Sequence, residues 1–148
     1  MTMDRKTYPI EIAGIYRELP LFEVQPGLRI AVLNILGDTE LVLACAKALD
    51  QELDGTNFDV IVTAEAKSIP LAHALSLEAD KPYIVLRKVY KPYMGNTIHA
   101  ETLSITTGKP QSLYLDEKDH VLLAGKKVVL LDDVISTGST LKGIKQII

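Results

Sequence analysis

The chain has 148 residues, of which 47% are hydrophobic and 24% charged, with a formal net charge of −3. That apolar share suits a single domain with its own core, and the acidic balance excludes a surface built to neutralise nucleic-acid phosphates. The lone Cys45 leaves no internal disulfide, while His73, His99 and His120 lack any zinc-ligand spacing. No run of about 18 apolar residues occurs, so the expectation is a cytoplasmic protein without a membrane span.

In chain order, residues 8–16 and 28–36 are rich in Ile and Val and are separated by Gln25-Pro26-Gly27, which predicts two extended segments forming a small ribbon or lid. Asp38-Thr39-Glu40 reads as an N-cap with an acid in the first turn, and Leu41, Ala44, Cys45, Ala48 and Leu49 recur at helical spacing until Gly55. Residues 58–63 form an apolar run without polar alternation, as a strand covered on both faces does. A helix is predicted over residues 69–79 and a second buried strand over residues 83–86, which together make a parallel crossover. Residues 87–119 form a long insertion punctuated by Pro92, Gly95, Gly108 and Pro110, with antiparallel strands expected at 101–106 and 112–115. Residues 126–132, KKVVLLD, are the clearest buried strand, and a helix begins at Ser139. The fold class is therefore α/β with a parallel sheet: residues 1–57 are the N-terminal hood and helix, and residues 58–148 are the core.

The chemistry concentrates in residues 128–141, VVLLDDVISTGSTL. Ligands of open parallel sheets bind beyond the carboxyl ends of the strands, where this acidic pair emerges. Ser136, Thr137, Gly138, Ser139 and Thr140 offer four hydroxyls and a glycine at a helix start, so backbone N–H groups, side-chain donors and the helix dipole can meet one phosphate. Asp132 and Asp133 repel phosphate but accept hydrogen bonds from sugar hydroxyls and can organise a nearby Mg²⁺. An acidic pair alone is better explained as a capped turn. The whole run points to a phosphorylated sugar.

At these residues the chain resembles the type I phosphoribosyltransferases, and within them the adenine and xanthine enzymes. The resemblance implies that Ser136 to Thr140 hold the 5-phosphate of phosphoribosyl diphosphate and that Asp132 and Asp133 hold the ribose hydroxyls. It also implies a pyrophosphate loop at Ala66-Lys67-Ser68, where a basic residue flanked by small ones lets backbone and ammonium approach the diphosphate together. Further basic residues of that site are Arg87 and Lys88, and Asn34 falls where xanthine enzymes contact the base. The insertion, residues 88–119, corresponds to the family's catalytic loop, which closes over the substrates. Adenine enzymes carry a Glu before Tyr-Gly there, whereas Gly108 follows Ile105-Thr106-Thr107, and residues 103–106 look more like the xanthine type.

The implied activity joins a purine to C1 of the ribose and expels pyrophosphate, with Mg²⁺ as cofactor, in a homodimer serving nucleotide salvage. Asp132, Asp133 and Lys67 are the expected catalytic residues. No general base is evident beyond a backbone group or Glu101. A second reading keeps the same site in a non-catalytic sensor of phosphoribosyl diphosphate, and no helix-turn-helix accompanies the domain.

Overall fold

The computed structural model of the chain describes residues 5–103, 110–135 and 137–148. Its N-terminal part is an antiparallel ribbon of β1 (Thr7–Ile12), β2 (Ile15–Gln25) and β3 (Leu28–Ala31). Ala13 and Gly14 both take positive φ, 50° and 79°, and return the chain in two residues between Ile12 and Ile15. Positive φ at both central residues matches the twist of a tight hairpin. The two expected extended segments are thus three strands. The first hides a turn, and the second stops as a strand at Ala31 because the chain must leave the ribbon to begin the first helix.

Arg17 fastens this ribbon to the core. Its Nε donates to Asp38 Oδ2 at 2.8 Å and its Nη2 to Asp38 Oδ1 at 2.9 Å. Asp38 Oδ1 also accepts the Leu41 N–H at 3.2 Å, capping α1 (Thr39–Glu52) as its Asp-Thr-Glu start predicts. The Arg17 guanidinium holds the Asp38 carboxyl below its ordinary value. Such a group stabilises the fold fully above its unfolded value, about 3.9, and loses that contribution as pH falls through the lower folded value. Asp38→Asn is therefore expected to lower the urea midpoint at neutral pH, with the gap to wild type closing below about pH 4. A gap independent of pH down to acid unfolding would remove the ion pair as its cause.

The central sheet is parallel, in the order β5 (Tyr83–Leu86), β4 (Val60–Ala64), β8 (Val128–Leu130). Successive β4 side chains point to opposite faces, and both faces are covered. Ile61 packs with Leu41, Ala46, Leu71 and Leu75 of α1 and α2 (Ile69–Ala79). Val60, Val62 and Ala64 pack with Ile84, Leu113, Leu115, Ile144 and Ile147 on the other face. Burial on both sides is why β4 reads as an unbroken apolar run.

The second face is closed by the hairpin β6 (Ile98–Leu103) and β7 (Pro110–Leu115) and by α4 (Ser139–Ile147). Reciprocal bonds between Arg87 and Tyr114, 3.0 and 2.8 Å, tie the hairpin to the end of β5. The pairing of Ile98 with Leu115 starts β6 three residues before the expected strand at 101–106, and residues 104–106 lie outside the described part. So does the comparison of residues 105–108 with the adenine type. A short helix, α3 (His120–Leu123), follows β7 where no element was expected. Among the described residues, no helix is long and apolar enough to cross a membrane.

Candidate active site

Because β4, β5 and β8 run parallel, their carboxyl ends open on one edge of the sheet, and each is followed by polar residues. Beyond β4 come Glu65, Ala66, Lys67 and Ser68; beyond β5, Arg87 and Lys88; beyond β8, Asp132 and Asp133. The three tips line a cleft of about 400 Å³ whose walls include Ala66, Lys67, Ser68, Lys88, Asp132, Asp133 and Thr140. Gln111 and Leu113 of β7 form its far wall, so the insertion faces the site.

Beside the cleft, Thr137, Gly138, Ser139 and Thr140 bound a concavity of about 30 Å³ together with Asp132. One water needs ~10–15 Å³ by this kind of measure, so the concavity has room for a compact anion and not for a ring. Gly138 takes φ +78° at the start of α4, a conformation glycine reaches without a Cβ penalty. With no side-chain cap on this helix, its first N–H groups lack intrahelical partners and face the turn. Ser136, the first residue expected in the loop, lies outside the described residues.

Two hydroxyls beneath the site tie the strand tips together. Thr63 Oγ1 lies 2.7 Å from the Leu131 carbonyl and 2.7 Å from Ser68 Oγ, which in turn lies 2.8 Å from the Ala64 carbonyl. Thr63 is wholly buried and Ser68 is 2% exposed. Two hydroxyl hydrogens thus serve three short contacts between the loop after β4 and the strand carrying the acids. The Ser68 side chain is spent inside the protein, while exposed Lys67 projects from the loop that Ser68 holds.

The acidic pair is half-buried, and the Asp133 N–H donates to Asp132 Oδ1 at 2.9 Å. Burial pushes the Asp132 carboxyl up to about 6, and its hydrogen bond with the Asp133 side chain adds to this. Two adjacent carboxylates in a partly desolvated cleft resist ionising together. A hydrogen-bond donor or a cation arriving there relieves that conflict. On their other side the two acids reach an apolar cavity of about 280 Å³, bounded by Ile12 and Ala13 of the ribbon turn and by Leu33, Ile35, Val42 and Cys45.

Two expected residues take other partners. Arg87 Nε donates to Glu65 Oε2 at 3.0 Å, and the Lys88 N–H is hydrogen-bonded to Glu65 Oε1. Asn34 is exposed, and its Oδ1 accepts the Leu36 N–H at 3.1 Å, forming a turn beyond β3. Sequence reasoning included Thr63 and Glu65 in the stretch matched around Lys67 without giving either a role, and passed over Gln111. Only Glu65 left a usable signal, an acid two residues from Lys67 at the tip of a buried strand.

The class defined by this edge, with an acidic pair and phosphate-sized turn after one strand and a lysine loop after another, is confirmed by comparison with known sequences. The phosphoribosyl transferase domain family matches residues 32–148, and the chain belongs to that family. Among its relatives, the hypoxanthine/guanine phosphoribosyltransferase of Methanotorris igneus is 41% identical over 106 residues, 71% of this chain and 54% of that protein. The enzyme of the same name from Methanococcus maripaludis strain C7 is 36% identical over 140 residues, 94% of this chain and 67% of that protein. This chain thus spans only part of the length of the curated relatives it matches. The crystal structure of adenine phosphoribosyltransferase from Thermoanaerobacter pseudethanolicus superimposes with a TM-score of 0.71 at 22% identity, covering 87% of this chain and 74% of that one. The likeness establishes the type I fold.

Proposed function

We propose that this protein transfers the 5-phosphoribosyl group of phosphoribosyl diphosphate to a purine, releasing pyrophosphate. The observation that carries this reading is the convergence of Lys67, Lys88, Asp132, Asp133 and Thr140 on one cleft. Thr137 to Thr140 hold the 5-phosphate, Asp132 and Asp133 accept from the ribose hydroxyls, and Ala66 to Ser68 with Lys88 receive the diphosphate. Arg87 belongs to that last group through its neighbour Glu65. Relatives named for hypoxanthine and guanine favour a 6-oxopurine. Asn34, its Oδ1 occupied, keeps its amide nitrogen as a donor to such an oxygen.

The C1–O bond to the diphosphate breaks as positive charge develops on the ribose, the electron pair leaving with pyrophosphate, and the purine nitrogen bonds to C1 while its N–H proton passes to solvent. Binding energy at the remote 5-phosphate aligns C1, and Lys67 and Lys88 stabilise the charge growing on the leaving group. Among the described residues no three His, Cys, Asp or Glu side chains gather to hold a metal. Asp132 and Asp133, two adjacent carboxylates of which one resists ionising, are the residues that would hold a Mg²⁺, and the ion would supply charge neutralisation for the leaving pyrophosphate. A pair of identical chains is the proposed assembly.

Pyrophosphate release is expected with hypoxanthine or guanine, phosphoribosyl diphosphate and Mg²⁺, with adenine the poorer acceptor. Lys67→Ala should lower kcat/KM for phosphoribosyl diphosphate by about 10²-fold, the scale of losing one transition-state donor. Binding of phosphoribosyl diphosphate without turnover on any purine would replace the enzyme by the sensor.

A further inference from the structure

The loop after β4 carries an acid that a diphosphate site has no direct use for. Glu65 lines the 400 Å³ cleft beside Lys67 and Lys88, where a free carboxylate would repel the anion. It is not free: Oε2 takes Arg87 Nε at 3.0 Å and Oε1 takes the Lys88 N–H. The carboxylate is 20% exposed and the guanidinium 38%, so the pair is partly desolvated and holds more firmly than a surface pair. Successive side chains of an extended segment point to opposite sides. Arg87 is drawn toward Glu65, while Lys88 lines the cleft and its charge favours ionised Asp132 across it.

We infer that Glu65 is a positioning residue that sets the charge of the diphosphate site, neutralising Arg87 and leaving Lys67 and Lys88 as the cations that meet the anion. This rests on the phosphoribosyl diphosphate reading above. The benefit is release: a third unpaired cation would strengthen the grip on the departing pyrophosphate, a product that must leave in every turnover. The main-chain bond to Lys88 gives Glu65 a second task, fixing the β5 tip while its other oxygen holds Arg87.

The experiment titrates inorganic pyrophosphate with Mg²⁺ into the full chain by calorimetry. Glu65→Gln, nearly the same shape, should bind pyrophosphate roughly fivefold more tightly, as one unit charge acting through fully screening water implies. A gain in affinity cannot come from a loosened fold. Arg87→Met should weaken binding by a similar factor, and the double variant E65Q/R87M, with the wild-type net charge, should return to the wild-type value. Unchanged or weaker binding by Glu65→Gln overturns the inference, as does a double variant as weak as Arg87→Met, which would make Arg87 a direct ligand. Should Glu65→Gln melt early, the titrations are run below the melting temperature of every variant, where a gain or its absence still decides. Lys67→Ala and Lys88→Ala separate this from the reading beneath it. If they leave pyrophosphate affinity intact, the site assignment itself fails. If they weaken it while Glu65→Gln gives no gain, only the role of Glu65 is lost.

Discussion

Replacing Thr137 and Thr140 together by valine is expected to weaken ribose 5-phosphate binding by at least about 2 kcal/mol, roughly 30-fold in Kd. Valine keeps the branched shape and removes only the hydroxyls. Both threonines line the small concavity at the start of α4, and hydrogen bonds to a charged partner contribute about 1.5–3 kcal/mol apiece. Backbone N–H groups remain in the variant, so some affinity should survive. Calorimetry with inorganic pyrophosphate is the internal control, because its proposed ligands are on other strand tips. Equal losses for both ligands would indicate general damage, and unchanged affinity for ribose 5-phosphate would remove the phosphate from this turn.

Asp132→Asn is expected to make the protein more stable and far less active. Its carboxyl has a folded value of about 6 against an ordinary 3.8. A raised value means that the native state binds more protons than the unfolded chain between those limits. Stability from this group is then complete below the ordinary value and lost as pH rises through about 6. The uncharged variant escapes the loss, so it should gain stability at pH 8, on the order of 1 kcal/mol once solvent screening is allowed for, and little at pH 4. Turnover should fall by about 10²-fold, since the carboxylate proposed to accept from the ribose hydroxyls would be gone from the place where charge develops. Urea unfolding at the two pH values tests the first half, and steady-state rates test the second. A variant less stable at pH 8 than wild type would show that the acidic pair carries no native-state strain.

Much of the fold was legible because burial on both faces writes itself into sequence. Residues 58–63 and 126–132 announced strands through their apolar runs. β4 (Val60–Ala64) is fully buried as expected, whereas β8 is only Val128–Leu130, half-buried at the sheet edge, with Lys126 and Lys127 exposed before it. The polar residues directly after these runs were conspicuous too: packing does not call for Asp132-Asp133 or for four hydroxyls around Gly138. The Ala13-Gly14 turn was illegible because flanking isoleucines make residues 8–16 resemble one strand, while the deciding quantity is a pair of positive φ angles. The start of β6 was misplaced because it is set by the distant pairing of Ile98 with Leu115. The partners of Arg87 and Ser68 escaped for a related reason. A basic residue after a strand advertises an anion, but whether another side chain claims it first depends on neighbours 22 residues away, as Glu65 shows.

The Thr63 network carries a consequence for ligand choice. One threonine hydroxyl joins the loop that bears Lys67 to the segment that leads into Asp132, so these two tips resist separation. On the proposed reading, a sugar phosphate without its diphosphate and free pyrophosphate each meet only part of the cleft, so neither should hold as well as the molecule that meets all of it.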